Sequence, residues 1–387
     1  EFNLGSPYYQ DYLMINEGNG KFIKAVDRMP EINSSGSVVE AEDFDGDGYV
    51  DLFVGGRTPF SQYPKPDNCY LLKNEKGKLV DVTETYNKAL RNLGMITDAK
   101  WADLDDDNMK DLILVGEFMP VTVLMNKKDS FKQMEQTGMQ QLSGWWECVL
   151  AQDFDGDGDV DLIAGNLGKN NLYQPSQDRP VTMLAKDFDN NGAVDPVLFA
   201  YFKSDFEDST FKPYPVNFWG DLMSQSPMFR KKFNYFREFA STTKSGLFTQ
   251  EELEGADELM ANHDQTTYFE NNGNGQFTMG TLPWQTQSAP IKCMITTNTS
   301  GTASNDVLMI GNDFGNEVFI GRYDAFNGGV LVGDEKGGFE FKNAEESGFK
   351  VTGDAKDMIQ VENANGGSPY IVVTQNRGKA LVFTKTE

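Results

Sequence analysis

Short continuous apolar runs recur along the chain, each entered from a polar loop. Leu52-Phe53-Val54-Gly55-Gly56, Leu112-Ile113-Leu114-Val115-Gly116, Leu162-Ile163-Ala164-Gly165 and Pro196-Val197-Leu198-Phe199 each follow an Asp-rich stretch. Weaker copies are Val307-Leu308-Met309-Ile310-Gly311 and Ile371-Val372-Val373-Thr374. Runs of this length, bounded by turn residues, predict buried strands rather than helices. Pairs of shorter segments flank Gly- and Asn-rich turns at 17–20, 74–77, 271–275 and 333–338, which is hairpin chemistry. The chain ends on one further strand, 380–384.

The spacing of the loops sets the organisation. They start at 43, 103, 153 and 187, and eroded copies occupy 298–306 and 362–370. The first two intervals, 43 to 103 and 103 to 153, fit four short strands per propeller blade. The next interval, 153 to 187, is too short for that, so the third unit is expected to lack its outer hairpin near 171–180. The interval from 187 to 298 is too long, which implies roughly 50–60 inserted residues in the fourth unit.

That insertion, residues 203–266, changes from strand to helix periodicity. Ser226-Pro227 reads as a helix start, with Phe229, Phe233, Phe236 and Ala240 at helical spacing. Thr249-Gln250-Glu251-Glu252 is a capping box, predicting a second helix to about Met260. Phe202, Phe206, Phe211, Tyr214, Phe218 and Trp219 lie just upstream, as a private mini-core or as part of a ligand surface. The outer hairpin of the fourth unit is then expected to resume at Thr267. The hairpin at 12–24 has no loop-bearing strand pair before it and reads as half a blade. The expectation is a single all-β domain over 1–387, a β-propeller of six units plus a partial seventh with a helical insertion in the fourth, its edges closed by the two termini.

The loops carry the candidate chemistry. In the first, Asp43, Asp45, Asp47 and Asp51 occupy relative positions one, three, five and nine, and Tyr49 at seven offers its backbone carbonyl. The second has Asp103, Asp105, Asp107 and Asp111 with Met109 at seven, and the third has Asp153, Asp155, Asp157 and Asp161 with Asp159 at seven. The fourth has Asp187, Asp189, Asn191 and Asp195 with Ala193 at seven, one charge fewer. Alternate side chains of a tight loop converge on one cation, and an all-oxygen donor set suits Ca²⁺. An EF-hand would continue into a helix with Glu at position twelve, whereas here that position falls inside a strand, so the ninth residue must close the site. About four Ca²⁺ are expected, and none in the eroded copies. The second loop has Asp106 and Asn108 where the first and third have glycine, which predicts a strained turn.

These loops resemble the FG-GAP/VCBS repeats of integrin alpha-type propellers and of bacterial surface proteins. Gly94-Met95-Ile96-Thr97-Asp98-Ala99, Val115-Gly116-Glu117, Ser143-Gly144-Trp145-Trp146 and Gly165-Asn166-Leu167-Gly168 resemble, more narrowly, a bacterial subgroup associated with ASPIC/UnbV proteins. The resemblance implies an integrin-like propeller, with seven blades favoured, and Ca²⁺ in the loops. It specifies the ligand poorly.

Composition narrows the function classes. The formal charge is −25, and four divalent ions would offset eight of those charges. The remaining acidity argues against nucleic acid or anionic lipid as partner. No apolar run is long enough to span a membrane. Cys69, Cys148 and Cys293 show neither metal spacing nor a disulfide framework and read as idle thiols. The chain opens at Glu1 without Met and shows no signal peptide, so an upstream part is expected to have been removed. Loops of modest Ca²⁺ affinity fill outside the cytosol, which favours an extracytoplasmic place, at a bacterial surface or in the periplasm. The lone histidine, His263, is expected as a helix cap or surface residue, and Trp145-Trp146 as core. No nucleophile elbow, zinc-protease motif or phosphate loop is present. The favoured function is a binding or adhesion module for a glycan or protein partner, without catalysis of its own. The alternative is a polysaccharide lyase or glycosidase on the same scaffold.

Overall fold

A computed structural model describes residues 6–204, 210–273, 275–297, 306–334, 336–364 and 366–385. Phe206 and most of the eroded copy at 298–306 lie outside the described residues. The chain has an all-β fold built of antiparallel sheets. It divides into two compact units, one of Glu1–Ala41, Tyr49–Ile96 and Tyr173–His263, the other of Glu42–Gly48, Thr97–Leu172 and Asp264–Glu387.

The first unit opens with the hairpin β1 (Met14–Gly18) and β2 (Lys21–Lys24), in register Met14 to Lys24. Gly18, Asn19 and Gly20 all take positive φ there, the geometry that the Gly-Asn-Gly pattern predicts. A four-stranded sheet follows: β3 (Gly36–Glu42), β4 (Asp51–Gly56), β5 (Tyr70–Glu75) and β6 (Lys78–Asp81), hydrogen-bonded in chain order. Its apolar run β4 is almost wholly buried, packing Val54 with Ile32, Leu72 and Leu79.

In the second unit, β7 (Met95–Ala102), β8 (Asp111–Met119), β9 (Thr122–Asn126) and β10 (Phe131–Gln133) repeat the plan, and the short β11 (Gly144–Trp145) also joins β8. The next sheet begins with β12 (Cys148–Gln152) and β13 (Asp161–Gly165) and then breaks off.

The chain next builds a separate sheet in the first unit, from β14 (Val181–Lys186), β15 (Asp195–Lys203), β16 (Phe211–Pro215) and β17 (Asp257–Ala261). Its order is β16-β15-β14-β17, so β14, which precedes the fourth Asp loop, is flanked on both sides. Between β16 and β17 lie short helical turns, among them Trp219–Gln225, Phe236–Ala240 and Gln250–Leu253. Their rings form one apolar cluster with the sheet: Trp219, Phe229, Phe239 and Phe248 pack with Val197 and Phe199. Phe188 and Phe248 stack at 4.9 Å. Phe218 and Phe236 remain exposed, so part of this aromatic set faces solvent and part makes the mini-core. Thr249 caps the last turn with the reciprocal bonds of a capping box, as the sequence predicts. That helix stops at Leu253, because residues 257–261 pair along β14 instead of continuing to Met260.

Only then does the interrupted sheet resume, with β18 (Thr267–Asn271) and β19 (Phe277–Gly280). Leu162 pairs with Phe269 and Ala164 with Thr267, giving the order β12-β13-β18-β19. The hairpin expected to complete the fourth unit therefore completes the third, and the third unit has lost nothing. Local spacing cannot reveal this, since hairpin pairing across about a hundred intervening residues is a non-local choice. The end of the excursion is tied down, with the Asp264 carbonyl accepting from the Gly168 N–H at 2.7 Å. His263 is buried beside this junction rather than exposed at a helix end.

Two more sheets finish the chain. One comprises β20 (Ile291–Thr297), β21 (Asp306–Gly311), β22 (Gly329–Gly333) and β23 (Phe339–Asn343). The last has three strands, β24 (Ala355–Val361), β25 (Tyr370–Gln375) and β26 (Leu381–Thr384). Trp146 is fully buried in the second unit's core with Val149, Leu162 and Phe269, the packing role expected of it. Cys69 and Cys148 are buried free thiols, and Cys293 is partly buried.

Candidate metal centres

Four Asp triads stand at the turns between the first two strands of four sheets. They are Asp43, Asp45 and Asp51; Asp103, Asp105 and Asp111; Asp153, Asp155 and Asp161; and Asp187, Asp189 and Asp195. In each, one carboxylate oxygen per residue lies within 4.8 Å of the others. These are positions one, three and nine of the predicted loops.

Each position has its own anchoring. The first-position carboxylate collects backbone donors of its own loop. Asp43 accepts from the N–H groups of Gly46 at 2.9 Å, Asp47 at 3.1 Å and Gly48 at 2.8 Å. Asp153 accepts from Gly156 and Gly158, and Asp187 from Asn191 and Gly192. The ninth-position carboxylate is buried at the start of the second strand in every case. It ties the loop to the scaffold: Asp111 accepts from the N–H of Leu104 at 3.0 Å and of Asn126 at 2.8 Å. Asp161 accepts from Phe154, Asn271 and the Tyr268 hydroxyl.

The fifth position lies outside the triads. In the second, third and fourth loops its side chain is turned to the N–H of position seven. Asp107 accepts from Met109, Asp157 from Asp159 and Asn191 from Ala193, all at 2.8–2.9 Å. The seventh residues are thereby held in the turn, with the carbonyls of Tyr49, Met109, Asp159 and Ala193 the donors expected from the sequence.

Three asparagines have a role beyond the turn chemistry that the sequence assigns to Asn74 and Asn271. Asn74, Asn126 and Asn271 each give a backbone N–H to a ninth-position Asp and a side-chain N–H to the carbonyl just before it. In the second unit they also link successive repeats. The Asn126 amide reaches the Phe44 carbonyl at 2.7 Å, and that of Asn271 reaches Leu104 at 3.3 Å. For Asn74 and Asn271 the signal was present as an Asn opening the hairpin turn, but its partners are distant in sequence.

A family model described as FG-GAP-like repeat matches residues 2–54 and 103–164. Those two stretches carry FG-GAP-like repeats. The matched residues take in the first three Asp loops, and the fourth, outside them, has the same triad geometry. No curated protein matches the chain. Among solved structures, the V. cholerae biofilm matrix protein Bap1 is similar over 95% of this chain and 71% of that chain, at 8% identity and a TM-score of 0.27. A likeness so distant says nothing about what this chain binds.

The donor chemistry of the four loops fits a hard cation. Every triad atom is a carboxylate oxygen. Asp103 Oδ1 and Asp105 Oδ1 are buried and accept no hydrogen bond among the described residues. Buried like charges at this separation repel unless a cation lies between them. The second loop already has an internal cation near it, Lys127 Nζ, 3.1 Å from Asp105 Oδ2 and 3.6 Å from Asp107 Oδ2. No group of this kind other than the four triads occurs among the described residues.

Electrostatics gives a sign test. Burial, reinforced by neighbouring carboxylates, pushes Asp111 up to about 6 and Asp161 up to about 6. Both lie above the roughly 3.9 of an unfolded Asp. A raised carboxyl stabilises the fold where it is protonated, and that stability is lost as pH rises through about 6. Metal-free protein is therefore expected to melt higher at about pH 5 than at about pH 7 as far as these groups act. Protein in excess Ca²⁺ is expected to do the reverse, because protons then compete with the ion. Melting curves at the two pH values, with and without Ca²⁺, check both signs.

The second loop is strained as its sequence predicts. Asp106 and Asn108 adopt φ of 56° and 65°, where Gly46 and Gly48 of the first loop take 74° and 89°. Asp106→Gly is expected to raise stability by about 1 kcal/mol, and Gly46→Ala to lower it by a similar amount. A Cβ on Gly46 would meet nothing within 4 Å, so the latter change reads backbone conformation alone. Denaturant midpoints of the two variants measure this.

Proposed function

We propose that the chain is a Ca²⁺-stabilised, extracytoplasmic binding or adhesion module that takes a glycan or protein partner and has no catalysis of its own. The observation that carries the reading is the set of four oxygen-only triads, each closed by a buried Asp hydrogen-bonded into the sheet. Such sites join loop to scaffold, and their ions add stability rather than an open coordination position for chemistry. Tyr49, Met109, Asp159 and Ala193 would add carbonyl oxygens, and Asp47, Asp107, Asp157 and Asn191 would add side-chain oxygens, directly or through water. Millimolar Ca²⁺ outside the cytosol would keep the loops filled, which supports a place at the cell surface or in the periplasm. A seven-bladed arrangement is part of the same reading.

Two acidic groups of the second unit outside the triads are committed to structure. Glu147 and Asp313 both pair with the buried Lys292, at 2.5 and 3.0 Å. The test is a screen of glycans and of surface-protein extracts, run in Ca²⁺ and again after chelation. Binding that requires Ca²⁺, without turnover of the bound polymer, supports the reading. Depolymerisation of a bound polysaccharide contradicts it.

A further inference from the structure

A cavity of about 830 Å³ opens in the second unit, away from the Asp loops. This lies within the roughly 300–1,000 Å³ of small-molecule sites. One wall is the turn Trp284–Gln287 with residues 169–170. It is held rigidly. The Gln287 carbonyl accepts from the N–H groups of Lys169 and Asn170, and the Gln287 side chain both accepts from and donates to the backbone of Thr266. The facing wall is residues 325–328, fixed by the fully buried Asn312. That side chain accepts from the Phe326 N–H at 3.0 Å and donates to the Phe326 carbonyl at 2.7 Å. Phe326 and Phe341, with ring centroids 5.9 Å apart, supply apolar lining.

The polar lining is unusual for so acidic a chain. Lys169 and Lys350 border the cavity, with Glu345 the carboxylate among its lining residues. The side chains of Gln285, Asn327 and Lys350 make no hydrogen bond to the described residues. Trp284 is 74% exposed on the rim, although a ring of that size gains more than other side chains from being covered. A flat ring with free amides and an ammonium around it matches a pyranose: its C–H face stacks, and its hydroxyls both donate and accept.

We propose that this cavity binds an acidic oligosaccharide, with Trp284 stacked on a sugar ring and Lys350 pairing with its carboxylate or sulfate. The proposal rests on the reading of the chain as a binding module and names its ligand class and site. Lys350 chooses an acidic sugar over a neutral one, and the pairing should weaken with salt.

The test uses the Ca²⁺-loaded chain and three probes: a hyaluronan oligosaccharide carrying glucuronate, a sulfated heparin-derived oligosaccharide, and neutral cellotetraose. Titration calorimetry and tryptophan fluorescence read binding. At least one acidic probe is expected to bind more tightly than cellotetraose. Trp284→Ala should weaken it by about tenfold and remove most of the fluorescence change, and Lys350→Gln should erase the preference for acid. Both positions are at the cavity rim, and an unchanged melting curve confirms that the variants fold. Undiminished acidic-glycan binding by both variants overturns the cavity assignment while leaving the binding-module reading intact. No preference for either acidic probe overturns the proposal itself, as does a protein partner that alone covers Trp284. Loss of Ca²⁺ dependence with binding at Trp284 preserved would instead count against the wider reading.

Discussion

Removing Ca²⁺ is expected to lower the melting temperature by about 10–20 °C. An ion held by the folded state alone stabilises it by RT ln(1 + [Ca²⁺]/Kd), about 2.7 kcal/mol per site at a hundredfold excess over Kd. Four triads would give about 11 kcal/mol at that excess. Melting shifts shrink with chain length, and about 1–2 °C per kcal/mol is a fair extension to this size. The triads are shared among several sheets, so the transition should broaden as well as move, since two compact units need not lose their ions together. Mg²⁺ should restore little of the loss, because it demands a tighter octahedral shell than loops of this kind supply. Scanning calorimetry in chelator, then with each ion added back, checks the size and the selectivity. A curve indifferent to chelator would mean that the loops are turns and not metal sites.

The second large effect is expected from Asp161→Ala, at about 5 kcal/mol in saturating Ca²⁺. Roughly half is the lost ion, at about 2.7 kcal/mol. The rest comes from stranded donors: the Phe154 N–H, the Asn271 N–H and the Tyr268 hydroxyl lose their acceptor in a buried place. Leaving such a group unsatisfied costs about 1–3 kcal/mol, offset in part by water entering the gap. The position matters beyond its energy. Asp161 opens β13, and Asn271 closes β18, the strand that rejoins this sheet after the inserted one. Hydrogen exchange should therefore quicken along β18 and β19 in the variant, more than in the sheet of β20–β23. Asp161→Asn keeps an acceptor and should lose the ion with only part of the further destabilisation. Asp306→Ala is the control: Asp306 is buried at the same point of its own sheet but belongs to no triad among the described residues, and that change is expected to leave ion binding untouched. Equal ion loss in both alanine variants would remove the distinction between intact and eroded loops.

Most of the local structure was legible. Asp-x-Asp spacing followed by an apolar run located four strand-loop-strand units, because hard oxygens at alternate positions and a buried strand after them each leave a plain signal. The turn glycines and the Thr249 capping box were read for the same reason: their physics lies within a few residues. What the sequence concealed was pairing over distance. Nothing in the sequence of residues 267–280 says that they belong beside β13 rather than after β15; in the fold β16 takes the free edge of β15, and β18 takes that of β13. The end of the last inserted helix was missed likewise, because partnership with β14 outweighed the helical preference of residues 257–261. Asn74 and Asn271 read as turn formers, which they also are, and Asn126 carries no signal of its own in the sequence. Their bonds to the ninth-position Asp become visible only when the third strand is laid beside the second.

The central claim is that the four triads are Ca²⁺ sites, and stoichiometry tests it most directly. Protein purified in Ca²⁺ and freed of loose ion by dialysis should carry close to four Ca²⁺ per chain by elemental analysis, with one fewer in Asp161→Ala. Two or fewer Ca²⁺ per chain, or an unchanged count in that variant, would contradict the account.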